Sequence, residues 1–249
     1  MKKLIPFLCV AAAVAFSLTA CKKETETLQT ASIEDYSPLV VGKYITYRLD
    51  SFVYTNFGVN SETRTYQVKH QVDAQITDNL GRPAYRIIRY IRKTASNPWV
   101  SDASFMAVNT GNGLEFTENN LRYIKLRTPV RDFYSWKGNS FIDTYSINSE
   151  LKYMDDWDYV YDSVNVPLTI GNFTLDSTIK VDQRDEIIGF PELPGSYSEI
   201  NYGVEKYAKG IGMVYRRFFH SEYQPPTPGQ GGRFVDGSYG VTLTMIDHN

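Results

Sequence analysis

Few side chains in this sequence could carry proton or metal chemistry, and they are scattered. The three histidines are His70, His220 and His248. No H-E-x-x-H, C-x-x-C or G-x-S-x-G pattern joins them to a nucleophile or a second ligand. His70 is the most informative, because it falls on the apolar side of an alternating segment. An imidazole there is either a satisfied core group or a ligand or base, and no partner for the second role is visible. The acid-rich stretch DDWDYVYD, residues 155–162, is the other cluster. On a strand, Asp156, Asp158 and Asp162 share one side, with Trp157, Tyr159 and Tyr161 on the other. Calcium takes about six to eight oxygens, and a D-x-D start without the following Gly and Glu does not supply them. The aspartates therefore read as a solvated face. The aromatic side could stack a sugar ring or serve as core. His70, Trp157, Tyr159 and Tyr161 are the candidate ligand face. Gly210-Ile211-Gly212 is not a phosphate loop, since no helix follows it and Lys209 precedes it. No catalytic residue, metal ligand or cofactor is expected.

The elements that would position these residues read as strands. In RTYQVKHQVDAQI, residues 64–76, apolar and polar side chains alternate, as a strand with one buried and one wet face requires. Tyr44–Tyr54 alternates in the same way, and FGVNSE (57–62) between them predicts a long hairpin. TDNLGRP (77–83) and NTGNG (109–113) are further turns. AYRIIRYIRK, SFMAV, LEFTE, LRYIKLR, DYVYDSVNV, STIKVDQRDEII, NYGVEKYA, IGMVYRRFF and YGVTLTMI are the remaining strand candidates. No stretch sustains a helical apolar period, and ELKYMDDW (150–157) supports one or two helical turns at most. TASNPWVSD (94–102), GFPELPGSYS (189–198) and QPPTPGQGG (224–232) read as irregular loops. Short turns between strands predict antiparallel pairing. The expected fold is all-β: a single strongly curved antiparallel sheet, as barrel or half-barrel, with a two-sheet sandwich as the alternative. Gly42, Gly210 and Gly212 sit where a turn or bulge would need them.

The N-terminus has a different character. Lys2 and Lys3 precede a mostly apolar, uncharged run over residues 4–20. That run is short for a membrane span and fits an export signal. Leu18-Thr19-Ala20-Cys21 resembles the bacterial lipobox, which implies that Cys21 is lipidated after residues 1–20 are removed. Two or three acyl chains would hold the protein firmly to a membrane. Residues 21–35 are then the lipidated cysteine and a polar, flexible tether, and residues 36–249 form the β domain. Loss of residues 1–20 takes two lysines, leaving 24 basic against 28 acidic residues, a net charge of −4. That mild acidity gives no case for nucleic acid as a partner. Cys9 leaves with the signal and Cys21 carries the lipid, so the fold must rest on its core without a disulfide.

SPLVVGKYITYRLDS (37–51), WKGN (136–139) and VEKYAKGIGMVYRRF (204–218) resemble a group of uncharacterised Bacteroidota lipoproteins. The resemblance implies a β-rich exported domain and carries no activity. Within it, Asp162-Ser163-Val164 and Asp176-Ser177-Thr178 resemble O-glycosylation acceptors of exported Bacteroidota proteins, making Ser163 and Ser177 candidate modification sites. The expected function is that of an outer-membrane, lipid-anchored, non-catalytic binding or scaffold module. Its partners would be the membrane and a glycan, a lipid or another envelope protein. The alternatives are a half-barrel carrier of an apolar ligand and a glycan-active enzyme. The enzyme needs two carboxylates about 5–9 Å apart in a cleft.

Overall fold

The computed structural model describes residues 31–249. The expected export signal, Cys21 and the first part of the expected tether lie outside the described residues. Thirteen strands follow one short helix, α1 (Ile33–Tyr36). They are β1 (Tyr44–Thr55), β2 (Asn60–Thr77), β3 (Pro83–Arg92), β4 (Val100–Asn109), β5 (Gly113–Glu118), β6 (Leu121–Arg127), β7 (Ser135–Lys137), β8 (Asp158–Ile170), β9 (Phe173–Gly189), β10 (Ser198–Ala208), β11 (Gly212–Gln224), β12 (Arg233–Phe234) and β13 (Tyr239–His248). ELKYMDDW contributes only a 3-10 turn, Lys152–Met154.

All the strands belong to one sheet, ordered β6-β5-β4-β3-β2-β1-β13-β11-β10-β9-β8-β7, with β12 paired to β11. Every strand pairing is antiparallel. The two outer strands in this order, β6 and β7, are consecutive in the chain and meet across the gap. Ile124 N donates to Gly138 O at 2.8 Å, and Trp136 Nε1 donates to Ile124 O at 2.7 Å. The Tyr161 hydroxyl accepts from Arg127 N and donates to Arg127 O. The sheet is thus a nearly closed barrel, not a sandwich, and the seam protects edges that would otherwise be open to pairing.

Alternation sorts the strands into lumen and exterior. Tyr47, Val68, Phe105, Leu126, Tyr161, Val181, Tyr207 and Phe218 are all buried in the core. The exterior carries ion pairs along and across strands: Arg48 with Asp50 along β1 and Lys180 with Asp182 along β9, Arg86 with Asp73 and Lys180 with Asp162 between neighbouring strands. That is a wet face, unlike the apolar belt of a membrane-spanning barrel. Among the described residues no helix is long and apolar enough to cross a membrane.

Packed structure begins ahead of the boundary expected at residue 36. Ala31 bridges to Val130, and Ile33 and Tyr36 of α1 are 1% and 0% exposed. Ser32 caps the helix through a bond from Glu34 N. Strand polarity places α1 at the barrel end that also holds the β2–β3, β4–β5, β8–β9 and β10–β11 turns. It closes that end as a cap. Gly42, at a φ of +94°, makes the turn from the cap into β1.

Candidate functional site

A pair of ion bridges crosses the lumen. Arg216 on β11 and Glu205 on β10 are cross-strand neighbours facing inward. Glu118 ends β5 on the opposite wall. Lys125 reaches the lumen because β6 carries an extra residue there: Leu114 pairs with Leu126, but Glu115 pairs with Ile124. This β-bulge turns Lys125 inward between two buried apolar neighbours. Lys125 Nζ donates to Glu205 Oε1 at 2.6 Å, and Arg216 Nη1 donates to Glu118 Oε2 at 2.9 Å. Tyr207 donates its hydroxyl to Glu205 Oε2 at 2.6 Å. Glu205 is fully buried, and Lys125, Glu118 and Arg216 nearly so.

The electrostatics follow from this neutral set of two cations and two anions. Burial alone would raise Glu118, yet the Arg216 and Lys125 charges outweigh it and hold its pKa at about 2. Glu205 is likewise lowered despite its burial, by Lys125 and Arg216. Burial and the Glu205 carboxylate together push the Tyr207 phenol well up, so it stays a donor. Removing either partner from such a pair strands a buried charge and costs about 3–5 kcal/mol.

Between this cluster and the α1 cap lies a cavity with about 110 Å³ open to water-sized molecules. It is lined by Val72, Ile87, Leu114 and Phe116, by the charged cluster, and by Tyr36, Pro38 and Gly212 on the side of the cap. His70 lines it. The imidazole packs edge-on against Tyr47 (5.0 Å) and Phe105 (5.3 Å), and its Nε2 is buried with no hydrogen-bond partner. Burial first, then the nearby Arg89 charge, lowers His70 to about 3, so the ring is neutral near pH 7.

The aromatic part of the expected ligand face lies elsewhere. Trp157, Tyr159 and Tyr161 are at most 1% exposed. They fill the lumen near the seam, where Tyr159 donates to Asn139 Oδ1 and Trp157 Nε1 donates to Tyr153 O. They present no ring face to solvent and do not meet His70. Asp156 and Asp158 are outside, matched by Lys137. Ser163 is half-buried on β8 beside Lys180 of β9. The Ser177 hydroxyl donates to the Tyr36 hydroxyl (2.9 Å), which in turn donates to Asn165 Oδ1, so a glycan there would have to displace the cap.

At the barrel end away from the cap, a cleft of about 830 Å³ is lined by Glu186, Glu199, Asn201, His220 and Tyr153 among others. His220 stacks on Tyr153 with ring centres 3.6 Å apart and bonds Asn201 through Nδ1. Asn201 Nδ2 donates to both Glu186 (3.1 Å) and Glu199 (2.8 Å), so two carboxylates do stand together in a cleft. Hydrolytic acid catalysis needs one of them held protonated. Burial raises Glu186, but hydrogen bonds from Arg184 and Asn201 outweigh it and its pKa is lowered.

Sequence reasoning missed Glu118, Lys125, Glu205 and Arg216. Glu205 and Arg216 could have been found, since each sits in phase with inward aromatics, Tyr207 and Phe218. Lys125 could not, because its inward turn depends on a bulge. No family model matches this chain, and no curated protein matches it.

Proposed function

We propose that this chain is an exported, lipid-anchored binding module without catalytic chemistry, and that it holds a small amphipathic ligand in the barrel cavity behind α1. The observation that carries the reading is the cavity itself: apolar walls, a charged cluster, and polar atoms left unmatched on its surface. The signal-like first residues and the lipobox at Cys21 support export and anchoring. They also agree in direction with the fold. The chain enters the barrel through the cap, so the tether and the cap side of the cavity share one end. Val40 and Val41 are exposed at that end, with Lys43 and Lys209 close by. An apolar rim with cations suits a membrane surface.

The anchor is tested by fractionating cells that express wild type and Cys21→Ser. The expected result is wild type in the membrane pellet and the variant largely released or retained as uncleaved precursor. Equal membrane binding with normal processing in both would overturn the anchor.

A further inference from the structure

Three polar atoms on the cavity wall make no aligned hydrogen bond: His70 Nε2, Glu118 Oε1 and Arg216 Nε. Glu118 Oε1 lies 2.7 Å from Arg216 Nη1 and 3.7 Å from Lys125 Nζ, and Arg216 Nε lies 3.6 Å from Glu205 Oε1, all as off-line ion contacts. His70 Nε2 has no hydrogen-bond partner at all. Buried polar groups normally find partners, so an occupant of the cavity would first meet His70 Nε2, with Glu118 Oε1 and Arg216 Nε beside it as further acceptor and donor. Arg216 Nε–H can only donate. Ionised Glu118 can only accept. A neutral imidazole can do either, according to its tautomer.

Charge narrows the choice. Glu118 and Glu205 are balanced by Lys125 and Arg216. An occupant with net charge would leave one charge uncompensated in a site shielded from water. A carboxylate would also face two glutamates, and an ammonium would face a lysine and an arginine. Much of the remaining wall, including Ile45, Val72, Ile87, Leu114 and Phe116, is apolar and suits an apolar chain.

Resting on the cavity as the binding site, we propose that its ligand is a small uncharged amphiphile whose head both donates and accepts hydrogen bonds, of the short-chain amide or alcohol class, since a cavity of about 110 Å³ holds only a few heavy atoms. The head meets His70, Glu118 and Arg216, and the chain lies along the apolar wall toward the cap.

The test is isothermal titration of the purified protein at pH 7 with butanamide, butanoate and butylamine. Butanamide should bind at least about ten-fold tighter than either charged analogue, a gap of roughly 1.4 kcal/mol. His70→Phe, which keeps the aromatic packing, should weaken butanamide severalfold without affecting the ion cluster. Ala107→Leu, which fills the wall, should abolish binding while a thermal melt shows a folded protein. Equal or tighter binding of butanoate or butylamine would overturn the head chemistry and leave the pocket standing. If none of the three binds, both this inference and the pocket reading fall. Butanamide binding that survives both variants would place the ligand elsewhere and overturn the assignment.

Discussion

His70 shows what one buried residue does to the whole chain's response to pH. In the unfolded chain a histidine titrates near 6.5. In the fold His70 stays neutral to about pH 3, because it is desolvated and faces Arg89 across the β2–β3 pair, with Arg216 adding to this and Glu118 opposing it. Between those values the unfolded chain binds a proton that the folded chain does not. Stability therefore falls as pH drops from 6.5 toward 3, by up to about 1.4 kcal/mol per pH unit. Glu118 adds the same sign lower down. Its carboxylate stays charged to about pH 2 in the fold, so its contribution is present above about pH 4.5 and is lost on further acidification. His220, also lowered by burial, retains a share of the upper limb. Urea titrations from pH 6.5 to 5 should show His70→Phe with a distinctly shallower slope than wild type. Identical slopes would mean that His70 is protonated in the fold. Sequence alternation placed His70 on the inner face correctly. It could not show Glu118 and Arg216 around it, since those contacts join residues from strands far apart in the chain; Arg89, in the next strand, follows only once the β2–β3 register is known.

At the level of elements, most of the barrel was legible because alternation survives in each strand. The segments 44–54, 64–76, 84–93 and 239–246 match β1, β2, β3 and β13 within a few residues. The first hairpin is longer than expected: its turn is only residues 56–59, and polar Asn60–Arg64 extends β2 by pairing with β1 rather than by burying apolar surface. β7 is three residues long, too short to carry a period. Yet β7 closes the barrel, and Gly138 beside it is the sensitive point. A Cβ at Gly138 would lie about 2.3 Å from the buried Tyr159 ring. Gly138→Ala should therefore cost about 1–3 kcal/mol through overpacking, the range for an inserted methyl that displaces a ring. The same change at Gly81, where a Cβ meets nothing but φ is +75°, acts through the backbone alone. Chemical denaturation of Gly138→Ala that matches wild type would show that the β6–β7 seam is loose and Tyr159 free to move.

Across the whole molecule, the barrel and its cap differ in how they are held. The barrel walls are continuous ladders of strand pairing, which open only with large loss of structure. The cap is held by a countable set of contacts. Tyr36 donates its hydroxyl to Asn165 at 2.6 Å, Asn109 Nδ2 donates to Glu34 at 2.6 Å, Gly210 N donates to Asp35 O at 2.6 Å, and Lys209 pairs with Asp35 at 3.3 Å. Burial of Ile33 and Tyr36 adds the apolar share. A unit with few attachments opens at lower free energy than the global transition. Since this unit also walls the cavity, its opening would be the route by which the proposed ligand exchanges. Tyr36→Phe removes two hydrogen bonds and leaves the ring packed, so about 1–2 kcal/mol of cap stability should go. Hydrogen exchange should then quicken by roughly 5–30-fold at the Gly210 amide, which reports on the cap through Asp35 O. Amides in the β1–β2 and β1–β13 ladders should keep their wild-type rates. Faster exchange spread evenly over the ladders would mean that cap and barrel open together, and the cavity would then have no door of its own. The sequence showed this region only as a polar tether running into a strand. A four-residue helix has no period to detect, and its place over the lumen is set by contacts 75 residues on, at Asn109, and 129 residues on, at Asn165.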